Sequence, residues 1–510
     1  MYKVGVANGQ PYVSYKFLYG QKGGTLTFVA PQTPGDYEFR MFLNNTWVYL
    51  GKSNTVTVTS VSITASPTTV SSGQTITVTF SGAPGNQKDF IAMYKVGVPN
   101  GQPYVSYKYL NGQKSGTLTF TAPATAGDYE FRMFLNNTWV YLGKSNTVKV
   151  IQTQTAEWTI MVYMAGDNSL SSCVIDDLIE METVGSTDRV KILAFADMGV
   201  GNAGIYYINK GSHSLVKNLG SVDSGFYQIL VDFIRFSKEN YPAQRYALIL
   251  WDHGAGWRSG IRGICFDDST GNFITLPELR QALFSSGIHF DLLGMDACLM
   301  GMIEVAHEIR SCGQVLVFSE ASIPADGWDY GPILSSLTSF PSQSTQELSH
   351  TIIDSYFDYY GRSSNITLSA VNLSQINSLS AALSHLADHI MTDQSTPTSV
   401  YRNIGWYALY MDTSVAYQDY TDIGDFMNKL IASSQVQSQE VKNAATNVLS
   451  TLGNLVIANE AHGSFSSAQG VSIYFPYHNC WNFDKGNYTS LQFAQDTSWN
   501  ELFTYLSLCD

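Results

Sequence analysis

The 510-residue sequence predicts a multidomain chain: N-terminal all-β sandwiches, then one α/β domain whose mostly parallel sheet is flanked by helices. Three observations predict it. Residues 1–58 recur almost unchanged at 93–150, an offset of 92, and self-similarity on that scale marks repeated modules. From Trp158 onward, short alternating segments give way to apolar runs separated by amphipathic ones. Charge divides near the same place. Of 28 Lys and Arg and 42 Asp and Glu, residues 1–150 hold 12 and 5, leaving 16 and 37 on residues 151–510.

The repeat is read first. Between its two copies lies 61–92, VSITASPTTVSSGQTITVTFSGAPGNQKDFIA, with no counterpart before Met1. One full module is therefore 61–151, and 1–60 is a partial copy. Segments 75–80, 116–120 and 129–135 alternate apolar and polar residues, and turns rich in Gly, Pro and Asn separate them. Short strands at this spacing specify a β-sandwich of roughly 90 residues. The module resembles the immunoglobulin-like repeats of bacterial secreted and surface proteins. Met1 stands at the equivalent of Met93, inside a module, and no signal peptide opens the chain. The expectation is an N-terminally truncated form of a longer protein, with a signal sequence lost along with the missing strands.

The acidic remainder, 156–510, reads as one α/β domain. Apolar strands at 158–164, 190–196, 246–251, 291–295 and 315–318 alternate with helices near 172–183, 226–239, 276–286 and 300–310, and a hairpin-like segment lies at 204–210. In the helix near 226–239, Tyr227, Leu230, Val231 and Ile234 fall on one stripe. Further α/β material follows at 366–371, 376–391 and 471–475. Strands followed by amphipathic helices specify a sheet covered on both faces, with functional groups gathered beyond the carboxyl ends of its strands.

Two strand ends carry reactive side chains. The strand 246–251 runs into Asp252-His253-Gly254, and the strand 291–295 into Asp296-Ala297-Cys298. A thiolate is an intrinsically strong nucleophile, and an adjacent imidazole can take its proton and pass it to a leaving amine. Cys298, read as lying just before the helix near 300–310, gains thiolate stabilisation from the helix dipole. The backbone N–H groups of Gly254 and Cys298 are candidates for an oxyanion hole. A buried inert cysteine and a His-Gly turn are the bland alternatives.

Four ordered blocks carry a resemblance: WTIMVYMAGDNSL at 158–170, LILWDHGAGW at 248–257, DLLGMDACLMG at 291–301 and GVSIYFP at 470–476. They are similar to the clostripain family of cysteine peptidases, which has the caspase-like fold. The resemblance implies His253 as the proton-handling residue, Cys298 as the nucleophile and cleavage after Arg or Lys. It implies Asp296, two before the nucleophile, as an acid of the pocket for the substrate's basic side chain. Asp326 in SIPADGW is the candidate second acid, and a turn aspartate is its plain alternative. Family members are often cut between the two catalytic segments, which makes Arg258 and Arg262 processing candidates; Arg280, in a predicted helix, is a poorer one. No cofactor is required. Some relatives depend on calcium, and DDSTGN at 267–272 is oxygen-rich but lacks the EF-hand pattern.

Other function classes fare worse. The acidic field repels nucleic acid and favours cationic peptide substrates, though it also serves solubility alone. No apolar run approaches the ~20 residues of a membrane span, and no phosphate-binding GxxxxGK[ST] motif occurs. Six cysteines without CxxC spacing suggest neither a zinc site nor a disulfide framework. His385 and His389 lack the HExxH arrangement, and His307 and Glu308 read as structural. The expected setting is extracellular or the bacterial cell surface, with the sandwich repeats gripping surface or carbohydrate ligands. The competing hypothesis is a surface adhesin whose peptidase-like domain is inactive.

Overall fold

The computed structural model describes the chain apart from Gln32, 152–154, Val200, 258–262, Arg362, 412–418, 477–480 and 508–510, and the side chains of 481–484. It divides into two compact units, Met1–Thr153 and Gln154–Asp510.

In the first unit, two sheets enclose one core within 61–151. One sheet runs Ser106–Tyr109, Phe90–Lys95, Gly127–Phe134, Val148–Ile151, Thr69–Ser71; the other runs Ser115–Thr121, Thr75–Ser81, Ser62–Ser66. Alternation sends Ile76, Val78 and Phe80 inward, where they join Met93, Phe131, Met133 and Val148. Residues 1–60 form a smaller sheet of Tyr2–Lys3, Gly35–Glu38 and Val56–Val58, plus the ribbon Arg40–Phe42/Tyr49–Lys52. The sequence repeat is also a repeat of contacts. Glu38 pairs with Arg40 at 2.7 Å and Lys52 at 2.8 Å, as Glu130 does with Arg132 at 2.6 Å and Lys144 at 2.7 Å.

The second unit is built on a nine-stranded sheet. Its strands are β1 (Ala156–Ala165), β2 (Val190–Asp197), β3 (Ala203–Asn209), β4 (Ser212–Gly220), β5 (Ala243–Trp251), β6 (Phe290–Asp296), β7 (Gly313–Phe318), β8 (Thr367–Asn372) and β9 (Val456–Ala461), in spatial order β4-β3-β2-β1-β5-β6-β7-β8-β9. The sheet is mixed rather than mostly parallel. The central five strands, β2-β1-β5-β6-β7, pair in parallel. The β2/β3, β3/β4, β7/β8 and β8/β9 pairings are antiparallel. The central strands read as near-continuous apolar runs because helices cover both their faces. The outer strands are less buried, so their apolar signal is weaker; β4 is almost wholly exposed.

Alternate residues feed two cores. Helices α1 (Ser171–Val184), α5 (Tyr330–Ser339) and α6 (Thr345–Tyr360) close over Ile160, Val162, Ile249 and Val317. Helices α2 (Tyr227–Asn240), α3 (Leu276–Ser285), α4 (Ile303–Ile309) and α7 (Ile376–Thr392) close over Met161, Leu248, Leu293 and Leu316. Each such side chain contributes about 1.5–3 kcal/mol by burial. A one-residue slip would exchange the two faces, so the register of the strand ends is strongly held. The segment 471–475 does not join this sheet: Ser472–Tyr474 pairs with Tyr420–Asp422 in a separate ribbon. Among the described residues, no helix is long and apolar enough to cross a membrane.

Candidate active site

Strands β5 and β6 are parallel neighbours, with Trp251 opposite Asp296. His253 and Cys298 therefore each follow, by two residues, a position matched across the same pair of strands. The segments stay together past the sheet: Asp252 N–H donates to the Asp296 carbonyl at 3.2 Å. Gly254 lies against the Cys298 backbone so closely that a Cβ there would stand 2.4 Å from its carbonyl oxygen and 3.1 Å from its nitrogen. The two segments meet in backbone contact at the carboxyl edge of the sheet.

Buried groups hold the histidine's surroundings. Asp252 accepts hydrogen bonds from Asn168 Nδ2 at 2.7 Å and from the Phe266 N–H. Asn168 Nδ2 also donates to the carbonyls of Ala165 and Phe266. Burial keeps the Asp252 carboxyl well above its usual range. The His253 ring is half-buried, and its Nε2 lies 2.9 Å from Ser169 Oγ. Burial lowers its pKa against a smaller opposing effect of Asp268, so the neutral imidazole predominates at neutral pH.

Cys298 corrects one expectation. Helix α4 begins at Ile303, with Met302 as its N-cap residue, and is seven residues long, so the sulfur does not sit at a helix N-terminus. Leu299 takes φ 62°, its N–H donates to the Ala321 carbonyl at 3.1 Å, and Gly301 N–H donates to Ser319 at 2.7 Å. Pairing with the segment after β7 occupies N–H groups beside the sulfur and delays the helix. A different donor reaches the sulfur: Ile323 N–H at 3.2 Å from Cys298 Sγ. The Ile323 carbonyl lies 3.5 Å from the same sulfur. The described cysteines form no disulfide. Cys265 and Cys312 are buried, with burial pushing both thiols up, which suits packing rather than chemistry.

Asp296 ends β6 and is 3% exposed. Its Oδ2 accepts from Trp328 N–H and from the Tyr330 hydroxyl, each at 3.0 Å, whereas Oδ1 is buried without a hydrogen-bond partner. Burial raises this carboxyl to about 7, and the two hydrogen bonds oppose the rise. Asp326 is exposed in the turn that follows β7, with the Tyr359 hydroxyl 3.3 Å away. The next residue, Gly327, has φ +62°, and a Cβ there would lie 2.8 Å from Asp296 Oδ2. The structure thus brings Asp296 to the loop that carries Asp326. Arg258 and Arg262 lie outside the described residues. Arg280 is in helix α3, with Glu308 3.2 Å away.

Several residues here escape sequence reasoning. Asp177 accepts from Trp251 Nε1 at 2.6 Å, and burial, then the charge of Asp296, raises it to about 9. It shares the buried stripe of α1 with Val174, Leu178 and Met181; an acid on an apolar stripe is a signal that was available. Glu180 Oε2 accepts from Tyr330 N–H at 3.1 Å. Ser169 and Ile323 carry no such signal, because each acts through a fold-dependent contact.

A family model described as the clostripain family matches residues 162–506. Clostripain of Hathewaya histolytica is 24% identical over 451 residues, covering 71% of this chain and 84% of that protein. A secreted C11 cysteine protease of Bacteroides thetaiotaomicron, solved with an irreversible peptide inhibitor, superposes with a TM-score of 0.53 at 21% identity, covering 69% of this chain and 99% of that one. An inactive zymogen C11 protease of Parabacteroides distasonis superposes with a TM-score of 0.55 at 22% identity, covering 68% and 99%.

Proposed function

Given that this chain belongs to the clostripain family and is a cysteine-type endopeptidase with the C11 protease fold, we propose that it cleaves after Arg or Lys through Cys298 and His253. The observation that carries the reading is the backbone contact of Gly254 with Cys298, which joins the two strand-end segments over one gap. His253 takes the thiol proton, and Cys298 Sγ bonds to the scissile carbonyl carbon. The carbonyl's negative charge is met by the N–H groups of Gly254 and Cys298. His253 gives its proton to the amine as the C–N bond breaks. Water, deprotonated by His253, then hydrolyses the thioester and frees Cys298.

The basic preference is supported by acids rather than by shape alone. Asp296 keeps one buried, unpartnered oxygen; Asp326 stands on the adjoining turn, and Glu180 adds a carboxyl within electrostatic reach of Asp296. An ion pair at an effective dielectric near 20 is worth about 4 kcal/mol at 4 Å, and a neutral side chain would leave the acid unpaired. Activation by cleavage at Arg258 or Arg262 belongs to the same reading. So does extracellular action, since a structural relative is a secreted protease. The strand-rich repeats are assigned as immunoglobulin-like spacers at 1–60 and 61–151, ahead of the peptidase domain at 156–510. Their exposed Tyr104, Tyr107 and Trp139 suit a sugar or surface ligand.

The test is hydrolysis of matched arginine, lysine and glutamine amides. Cleavage of the first two should vanish in Cys298→Ala and fall sharply in His253→Ala. Cleavage that persists in Cys298→Ala overturns the assignment. A wild-type chain that neither cleaves nor reacts with a thiol-directed arginine analogue points to the adhesin.

A further inference from the structure

Two buried carboxyls face each other behind the strand-end segments of His253 and Cys298. Glu320 follows β7 and is 1% exposed; Asp422 ends the strand Tyr420–Asp422 and is wholly buried. They are hydrogen-bonded to one another. Two carboxyls make that bond only while one of them holds a proton. Among the described residues, no Lys, Arg or His forms an ion pair with either. On the helix Ile423–Ala432, Asp425 is paired with Lys429 at 2.5 Å. Asp419 precedes the ribbon, and on β9 Glu460 pairs with His462. The rest of 319–323, the stretch 463–473 and β8 bring no charge.

Backbone donors decide which carboxyl holds the proton. Asp422 Oδ1 accepts from Asp425 N–H at 2.5 Å, and Oδ2 from Gln469 N–H at 2.7 Å. It also caps the helix Ile423–Ala432, whose dipole favours a negative charge. Glu320 Oε2 accepts from Gly470 N–H at 2.8 Å, whereas its Oε1 is buried without a backbone or amide donor. The proton therefore belongs to Glu320, and Asp422 is the anion. Burial, then the charge of Asp422, holds the Glu320 carboxyl well above its usual range; burial raises Asp422 less, against its two backbone donors.

The pair joins the backs of the two strand-end segments. Glu320 lies in the stretch whose Ser319 and Ala321 carbonyls accept from Gly301 and Leu299 N–H, and whose Ile323 N–H reaches Cys298 Sγ. Asp422 lies two residues from Tyr420, whose hydroxyl donates to the Ala255 carbonyl at 2.8 Å, two residues past His253. Across the ribbon from Asp422, Ser472 N–H donates to the Gly301 carbonyl at 2.8 Å.

We propose that Glu320 and Asp422 are a positioning pair whose shared proton clamps the stretch behind Cys298 to the ribbon behind His253. Loss of the proton leaves two buried anions in contact, which repel and loosen the clamp. The clamp is fully present below the ordinary carboxylate range and is lost as pH rises towards the raised value of Glu320. Its effect on hydrolysis rests on the peptidase reading above; the clamp itself does not.

The test compares Glu320→Gln with Asp422→Asn in the full chain. Glutamine keeps an acceptor for Gly470 N–H and replaces the shared proton with a permanent amide N–H. Asparagine leaves one of the two backbone N–H groups at 422 without an acceptor. Wild type and Glu320→Gln should melt alike near pH 5 and differ by about 2–5 °C at pH 9, the variant being higher. Asp422→Asn should melt below both. On an arginine amide, Glu320→Gln should keep kcat within about 3-fold of wild type at pH 7 and lose less of it between pH 8 and 9.5. Asp422→Asn should lose about 10–100-fold in kcat with little change in KM. Melting temperatures of wild type and Glu320→Gln that run parallel with pH, or better tolerance of Asp422→Asn than of Glu320→Gln, overturn the shared proton. Diverging melting temperatures with parallel kcat profiles overturn the positioning role. If melting behaves as described but the wild-type chain hydrolyses no peptide, the peptidase reading fails and the clamp stands.

Discussion

Ser169 presents its hydroxyl to Nε2 of His253 at 2.9 Å, across 84 residues of chain. Sequence order gives no hint of the contact. It arises because β1 and β5 are hydrogen-bonded neighbours whose following loops leave the sheet side by side. A hydroxyl at Nε2 biases the tautomer and the tilt of a ring to which the proposed mechanism gives the proton transfers. Ser169→Ala should lower kcat about 3–30-fold with little change in KM, and Ser169→Thr should recover most of it. Steady-state kinetics on an arginine amide decides; unchanged kcat in the alanine variant would show that the contact has no catalytic bearing.

Gly254→Ala places a Cβ 2.4 Å from the Cys298 carbonyl oxygen and 3.0 Å from Ala297 Cβ, so the two strand-end segments must part. A displacement near 1 Å costs on the order of 100-fold in rate. We expect that loss in kcat/KM, with a stability change of no more than about 2 kcal/mol because the contact lies at the sheet's edge. Activity within a few-fold of wild type would mean that the gap between the segments tolerates widening.

Asp296→Asn keeps an acceptor for Trp328 N–H and Tyr330 Oη, so the loop should stay in place. The carboxyl titrates near 7 in the folded chain. Below that pH it is protonated and attracts no guanidinium; above it the charge is present. KM for an arginine amide should therefore fall as pH rises from 6 to 8 in the wild type and stay flat in the variant. The variant should also lose about 10–100-fold in preference for arginine over glutamine, or about 1.4–2.8 kcal/mol. Equal loss on both substrates removes Asp296 from the pocket.

Asp177 has a folded-state pKa near 9 against an ordinary 3.8. The folded chain holds this proton across a window in which the unfolded chain has released it. Stability from this group is therefore fully present below about pH 4 and declines as pH rises towards 9. Asp177→Asn preserves an acceptor for Trp251 Nε1 and abolishes the proton uptake. Its melting temperature should decline less between pH 5 and 8 than that of wild type, leaving it about 1–3 kcal/mol more stable at pH 8. A steeper decline in the variant would show that the ionised carboxylate stabilises the fold.

Much of this was legible because the signals were local. The 92-residue offset, the apolar runs of β1, β5, β6 and β7, and the stripe of α2 each follow from periodicity within one segment. So did the placement of His253 and Cys298 at strand ends. The outer strands were harder: β4 is exposed and β9 only half-buried, so neither carries the apolar run by which strands are recognised. The start of α4 was misread because a dipole argument needs the helix to begin at the cysteine, whereas backbone donors of 299 and 301 are taken by residues 319 and 321.

By itself, the sequence determined the repeat, the α/β class, the family and the residue types at two strand ends, because each is written in a contiguous block. Tertiary structure alone decided which side chains share an environment. Asp296 raises the cost of ionising Asp177, and Ile323 reaches the sulfur of Cys298. Electrostatic and hydrogen-bond energies depend on distances of a few ångströms, and folding sets those distances between residues that sequence separates by tens of positions.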